Sequence, residues 1–279
     1  MSKLFYLFLI VMSAAVVVPC WSKFARHAGL IARNYRGQAI PQSMGLIFIF
    51  TYLPAALWAL ISQLITSGLI RRTFMITIGL GILGFIDDFW GASQVKGLRG
   101  HFSSLLKGKI TTGLLKAIGG YIICFLAVKS LPDSNLPLNI WRAALVALTA
   151  NLLNLFDLRP GRALKVFFLL SILFLQQIQS EEMILLLFPF LFTALVFFPW
   201  DLAGKGMLGD SGANLLGGVL GLMALESTSF WLQFSFFCLL LFVHFLTEKV
   251  SLTQMIKRNR LLSFLDNLGR QHKGRFQED

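Results

Sequence analysis

Apolar residues run along this chain in long blocks separated by short polar connections. Nine such blocks stand near 3–20, 45–66, 71–90, 111–129, 138–155, 164–179, 183–199, 208–226 and 230–248. A helix needs about 20 apolar residues to cross a hydrocarbon layer roughly 30 Å thick, and these blocks approach that length. The pattern predicts an all-α, polytopic transmembrane helix bundle of about nine spans (9–10). The first block lacks a small-residue cleavage site and a basic segment follows it, so it reads as a retained helix rather than a signal peptide. Nothing after residue 250 is apolar enough to span. Residues 251–269 read instead as a basic amphipathic helix with Leu252, Met255, Ile256, Leu261, Leu262, Leu265 and Leu268 along one approximate stripe. Such a helix suits an anionic membrane surface; a solvated tail is the plain alternative. The domain reading is a single bundle over 1–250 and a basic tail over 251–279.

Composition sharpens the class. The 279 residues are 56% hydrophobic and 14% charged, where soluble domains carry about 25% charged residues. This leaves no room for a separate soluble domain of ordinary size. Cys20, Cys124 and Cys238 all sit in or beside apolar blocks without ligand spacing, so they read as small buried apolar side chains rather than disulfides or zinc ligands.

A net charge of +12 raises the question of nucleic acid, and its distribution answers it. Nineteen of the 25 Lys and Arg fall in the segments after blocks 1, 3, 5, 7 and 9, and five on the other side. That bias predicts an outside N-terminus and a cytoplasmic C-terminus, with no nucleic-acid partner. The Arg71–Arg72 pair runs against it. The cytoplasmic connections are the longer ones and carry most of the unusual polar residues, so function is expected on that face.

Ionisable groups at membrane depth are costly and mark function by default. Four acids fall at cytoplasmic block ends: Asp87 and Asp88 in GFIDDFWG, Asp157 in NLLNLFD, and Asp210 in LGDSGANLLGG. Each alone could be an ordinary helix cap. Adjacent carboxylates repel when both are ionised, and a hard divalent cation relieves that repulsion. Asp87 and Asp88 project about 100° apart on a helix, so they need not share one role. Thr111, Thr112 and Lys116 open the fourth block. Lys116 reads either as a snorkelling lysine or as a cation for a lipid-linked phosphate. Asn151 and Asn154 share a helix face leading to Asp157, and could contact a ribose or base, or bind neighbouring helices together. The small residues of GDSGANLLGGVLG, including Gly209 and Ser211, allow close helix packing or an anion at a helix N-terminus.

Taken in order, IPQSMG at 40–45, GFIDDFWG with the following GHFSSLLKGKITTGLLKAIGG segment, NLLNLFD at 151–157 and LGDSGANLLG at 208–217 resemble the polyprenyl-phosphate N-acetylhexosamine-1-phosphate transferase superfamily, glycosyltransferase family 4. The resemblance spans about residues 36 to 221. It implies transfer of a sugar-1-phosphate from a UDP-amino sugar to polyprenyl (undecaprenyl) phosphate at the cytoplasmic membrane face, with release of UMP, for cell-wall or surface-polysaccharide synthesis. It implies Mg²⁺ as cofactor, with Mn²⁺ as substitute, and a multi-pass protein of the bacterial cytoplasmic membrane. By position, Asp87, Asp88 and Asp210 match catalytic positions; Asp210, with Asp88 and Asp157, would serve the metal. Lys116, Thr111, Thr112, Asn151, Asn154, Asp157, Gly209 and Ser211 would contact substrate. The expected partners are polyprenyl phosphate, the UDP-sugar and anionic lipids, with a homodimer left open.

The sequence also departs from that family. Its motif usually continues as GxDGLA; here the text is NLFDLRPGRALK, with Pro160 at the second aspartate position and Arg159 and Arg162 flanking it. The arginines could bind phosphate instead. The family's histidine-rich loop has no counterpart: His272 stands alone, and His244 lies inside the ninth block. Two readings follow, an active transferase with a divergent donor, or a catalytically degenerate paralogue that binds polyprenyl phosphate or a partner protein. An ion-coupled transporter would place acids near the midplane or show internal repeats, and neither is present.

Overall fold

The computed structural model describes residues 1–34, 36–91 and 111–270. Lys96, Arg99, Lys107 and Lys109 of the second basic connection, His272 and the end of the tail lie outside the described residues. Eleven helices follow one another among those described: α1 (Ser2–His27), α2 (Leu46–Ile61), α3 (Ser67–Trp90), α4 (Thr112–Val128), α5 (Leu136–Phe156), α6 (Arg162–Leu175), α7 (Glu181–Leu202), α8 (Gly209–Ser227), α9 (Phe230–Lys249), α10 (Leu252–Arg258) and α11 (Arg260–Asn267). A helix stands at each of the nine expected apolar blocks. Five of them, α1, α3, α5, α7 and α9, are long and apolar enough to cross a membrane.

Two features differ from expectation. Between α1 and α2 the chain forms an antiparallel hairpin, β1 (Ile31–Arg33) with β2 (Ala39–Pro41), pairing Ala32 with Ile40. Asn34 Oδ1 closes its turn by accepting from the backbone N–H of Arg36 and Gln38 at 2.9 and 3.0 Å. The tail is two short helices rather than one. Asn259 takes an extended backbone and its side chain accepts from Leu262 N at 3.1 Å, which ends α10 and starts α11.

Helix α8 is the centre of the bundle. It packs along α3 on one side and α5 on the other. Nearly every residue from Gly209 to Leu225 is buried. Its small residues are the cause. A methyl group at Gly217 would meet the backbone of Thr149 and Ala150, and one at Gly221 the backbone of Val146. On the α3 side, Gly84 lies against the backbone of Asp210 and Ser211. Without bulky side chains the axes approach closely, and van der Waals contact replaces the hydrophobic drive that lipid does not supply.

Helix α9 is the opposite case. Only Leu240 is fully buried, and Trp231, Phe242 and Phe245 point outward. Cys20 and Cys238 are exposed too, and only Cys124 is buried. The buried reading of the cysteines therefore holds at one site. Periodicity cannot tell a core from a lipid-facing surface when both are apolar.

The bundle has two chemically distinct ends. At one, Lys3 pairs with Glu181 at 2.5 Å, Thr66 N donates to Glu182 at 2.9 Å, and Arg72 makes a bidentate pair with Glu226 at 2.7 and 2.8 Å. The Arg72 pair accounts for a cation on the wrong side of the charge bias: its charge is neutralised and largely shielded. Removing the partner of a shielded ion strands the other. Arg72→Gln is expected to lower stability by about 1–3 kcal/mol, read as an earlier thermal unfolding transition in detergent, and Glu226→Gln in the same background to restore part of the loss. The opposite end holds every sequence-predicted acid.

Candidate active site

The IPQSMG segment crosses this second end. Its backbone pairs with the segment before α8: Met207 N donates to Pro41 O at 2.8 Å, Met44 N to Met207 O at 3.0 Å, and Gly45 N to Leu208 O at 2.9 Å. Gly45 and Gly212 approach so closely that a side chain on either would collide with the other's backbone. This fixes Gln42 and Ser43 over the end of α3.

Asp88 is gripped from several directions. Its carboxylate accepts from Asp210 N at 2.8 Å, from Ser211 N at 3.2 Å and from Ser43 Oγ at 2.8 Å, while its carbonyl accepts from Gln42 Nε2 at 3.1 Å. Asp157, at the end of α5, accepts from Gly209 N at 3.0 Å. Two carboxylates thus satisfy the first N–H groups of α8, where orphan donors and the positive end of the helix dipole favour negative charge. Gly209 has φ +74, and a Cβ there would press on Asp88 Oδ2 at 2.6 Å. Glycine is required at that position twice over.

Asp87 faces elsewhere. Lys116 Nζ, reaching in from the first turns of α4, lies 2.6 Å from Asp87 Oδ2 and also pairs with Asp210 Oδ2. Thr112 hydrogen-bonds Asp87 from the same helix end. With the Asn154 amide oriented to satisfy its neighbours, its nitrogen donates to Asp210 Oδ1 at 2.8 Å and its oxygen accepts from Lys116 at 3.2 Å. Helices α3, α4, α5 and α8 each contribute one member of this cluster. The adjacent aspartates of GFIDDFWG therefore divide: Asp88 holds the helix end together, and Asp87 faces the lysine.

The other sequence-predicted residues sit as follows. Thr111 caps α4, accepting from Leu114 N at 3.2 Å. Ser211 is buried, its backbone N–H on Asp88. Asn151 is exposed on α5, outside the cluster. Arg159 is half-buried in the loop that follows α5. Arg162, considered as a phosphate ligand, is buried and engaged: Nε and Nη2 grip Asp266 at 2.7 and 2.9 Å, and Nη1 donates to Thr253 at 3.1 Å. Arg270 completes the clamp on Asp266 and donates to Pro160 O at 2.8 Å. Burial alone would raise the Asp266 carboxyl, but the hydrogen bonds from Arg162 and Arg270 outweigh it and hold the group down at about 2.

Sequence reasoning named IPQSMG but gave Gln42 and Ser43 no role. It also passed over Asp201, a buried acid that accepts from Gly161 N at 2.9 Å. Asp201 ends an apolar block as the four singled-out acids do, so the same criterion could have found it.

Asp87 Oδ2 and Asp210 Oδ2 converge on the Lys116 ammonium. The donor set fits Mg²⁺, which takes one or two carboxylates and completes its shell with water and phosphate oxygens. Among the described residues no group of three or more His, Cys, Asp or Glu converges to form a metal site. Asp88 and Asp157 fit that role less well, since backbone amides already occupy both oxygens of Asp88 and one of Asp157.

A search of curated proteins finds no match. The family model described as glycosyl transferase family 4 matches residues 70–228, more than half of the chain, and takes in most of α3, all of α5 and α8, and every member of the cluster.

Proposed function

Since this chain belongs to glycosyl transferase family 4, we propose that it transfers a sugar-1-phosphate from a UDP-amino sugar to polyprenyl phosphate at the cytoplasmic face of a bacterial membrane. The observation that carries this reading is the Asp87–Lys116–Asp210–Asn154 cluster at one end of the bundle. Five helices long and apolar enough to cross a membrane support a membrane setting. The remaining apolar helices bring the count of proposed spans to about nine.

The reaction asks little covalent work of the protein. An oxygen of the lipid phosphate attacks the β-phosphorus of the donor; the bond from that phosphorus to the bridging oxygen breaks, and UMP leaves with it. Catalysis is then positioning and charge neutralisation. Bound Mg²⁺ would neutralise pyrophosphate oxygens, held by Asp87 and Asp210. Lys116 supplies a compact positive charge within reach of the same point and suits a phosphate oxygen. Asn154 orients Asp210 and Lys116 together. Asp88 and Asp157 act through α8, keeping Asp210 at its place on the first turn. The lipid phosphate arrives already anionic, so the site needs no strong base.

The test is turnover. Purified protein in detergent, given undecaprenyl phosphate, Mg²⁺ and a panel of radiolabelled UDP-sugars, is expected to release UMP with at least one donor and to lose that release with EDTA. Tight binding of the lipid phosphate without turnover on any donor would instead establish the degenerate paralogue.

A further inference from the structure

The clamp on Asp266 fastens the loop after α5 to the tail. Pro160 presents its carbonyl to Arg270, and Arg162 is the residue on which α10 and α11 are both fastened. Lys165 adds a third tie, donating to the carbonyls of Leu265, Asp266 and Leu268 at 2.8, 2.9 and 2.7 Å. All these contacts are polar, and they lie on the inward side of α11. Its apolar side is turned outward: Leu261 and Phe264 are 66% and 64% exposed, and Leu262, Leu265 and Leu268 stand beside them. A helix on the surface of a water-soluble protein is oriented the other way round.

We propose that α11 lies in the headgroup layer of an anionic membrane face, its Leu/Phe side in the acyl boundary and its Asp266 side clamped to the bundle. Charge complementarity selects this occupant. Lys257, Arg258 and Arg260 are exposed on α10 and at the start of α11, while the one acid of α11 is neutralised by two arginines. Basic residues near a membrane surface are attracted to anionic lipid. Continuity supports it as well. Only two residues separate α10 from α9, whose outward face is almost wholly apolar and whose last turn sets Lys249 Nζ over the Phe245 ring at 4.3 Å. The bundle thus carries a lipid-facing helix into a lipid-facing in-plane helix, and the clamp ties that helix to the loop that begins at Asp157, one of the two carboxylates that accept from the first N–H groups of α8.

The experiment uses the full chain in lipid nanodiscs, with Cys20→Ser and Cys238→Ser and an environment-sensitive fluorophore on Phe264→Cys. Leu261→Cys serves as a second position if the first labels poorly. In discs of phosphatidylcholine with phosphatidylglycerol, a quencher attached near the lipid headgroup is expected to act several-fold more strongly than aqueous iodide. That preference is expected to fall in discs of phosphatidylcholine alone and when Lys257, Arg258 and Arg260 are changed to Gln. A label quenched mainly by iodide in the anionic discs would overturn the proposal. So would a label shielded from both quenchers, the sign of a second copy or another protein on that face, and so would equal lipid quenching in both kinds of disc.

Discussion

Lys116→Met is expected to reduce UMP release by about 10²–10³-fold, the loss that follows removal of one preorganised charge-stabilising group from a reacting centre. Lys116 is the cation between Asp87 and Asp210. Methionine keeps much of the aliphatic stem and removes the charge, so two carboxylates would then face each other and the incoming phosphates. Lys116→Arg is expected to recover little, because a planar five-donor fork does not replace a compact ammonium held between two carboxylates and an amide. Initial rates under saturating Mg²⁺ check this, with thermal unfolding in detergent to confirm that the variants fold. Turnover near that of the parent in Lys116→Met would remove the cluster from the mechanism.

The second large effect separates two neighbours in sequence. Asp88→Ala is expected to cost about 2–4 kcal/mol of stability, since it strips a charged cap and leaves buried backbone donors of α8 without partners. The adjacent change, Asp87→Ala, is expected to cost less stability and to abolish activity, because Lys116 keeps Asp210 as a second partner and, among the described residues, Asp87 holds no backbone N–H. Asp88→Asn keeps one acceptor oxygen and is expected to restore part of the stability. Thermal unfolding midpoints and UMP release, measured on the same preparations, give six numbers for the three variants that must fall in this pattern. If Asp88→Ala unfolds at the temperature of the parent, the cap is not what holds α8.

Several features followed from the order of residues. Long apolar blocks must be helices where lipid offers no partner for backbone groups, and a helix stands at each expected block. The acids at block ends were conspicuous for a simple reason: in so apolar a chain an ionised group needs a cause. Other features could not be read this way. The Arg71–Arg72 exception made sense only once Glu226, more than 150 positions away, was found beside Arg72. Arg162 looked like a phosphate ligand because a sequence displays charge and not its distant partner; Asp266 supplies that partner. The exposed cysteines show the same limit, since an apolar position can face a core or a bilayer with equal ease.

What the sequence determined by itself was the class of molecule: an apolar helical bundle with its costly charges gathered at one set of helix ends, in the order of a known transferase family. Local cost dictates these traits, because every buried charge and every unpaired backbone group must be accounted for where it stands. What only the tertiary structure decided was the division of labour among the charges. Asp87 and Asp88 are chemically identical and adjacent, and no local property tells them apart. A rotation of about 100° around α3 sends one to Lys116 and the other to the amides of α8. The glycines that bring α8 against α3 and α5 set which amides and which ammonium wait in those two directions.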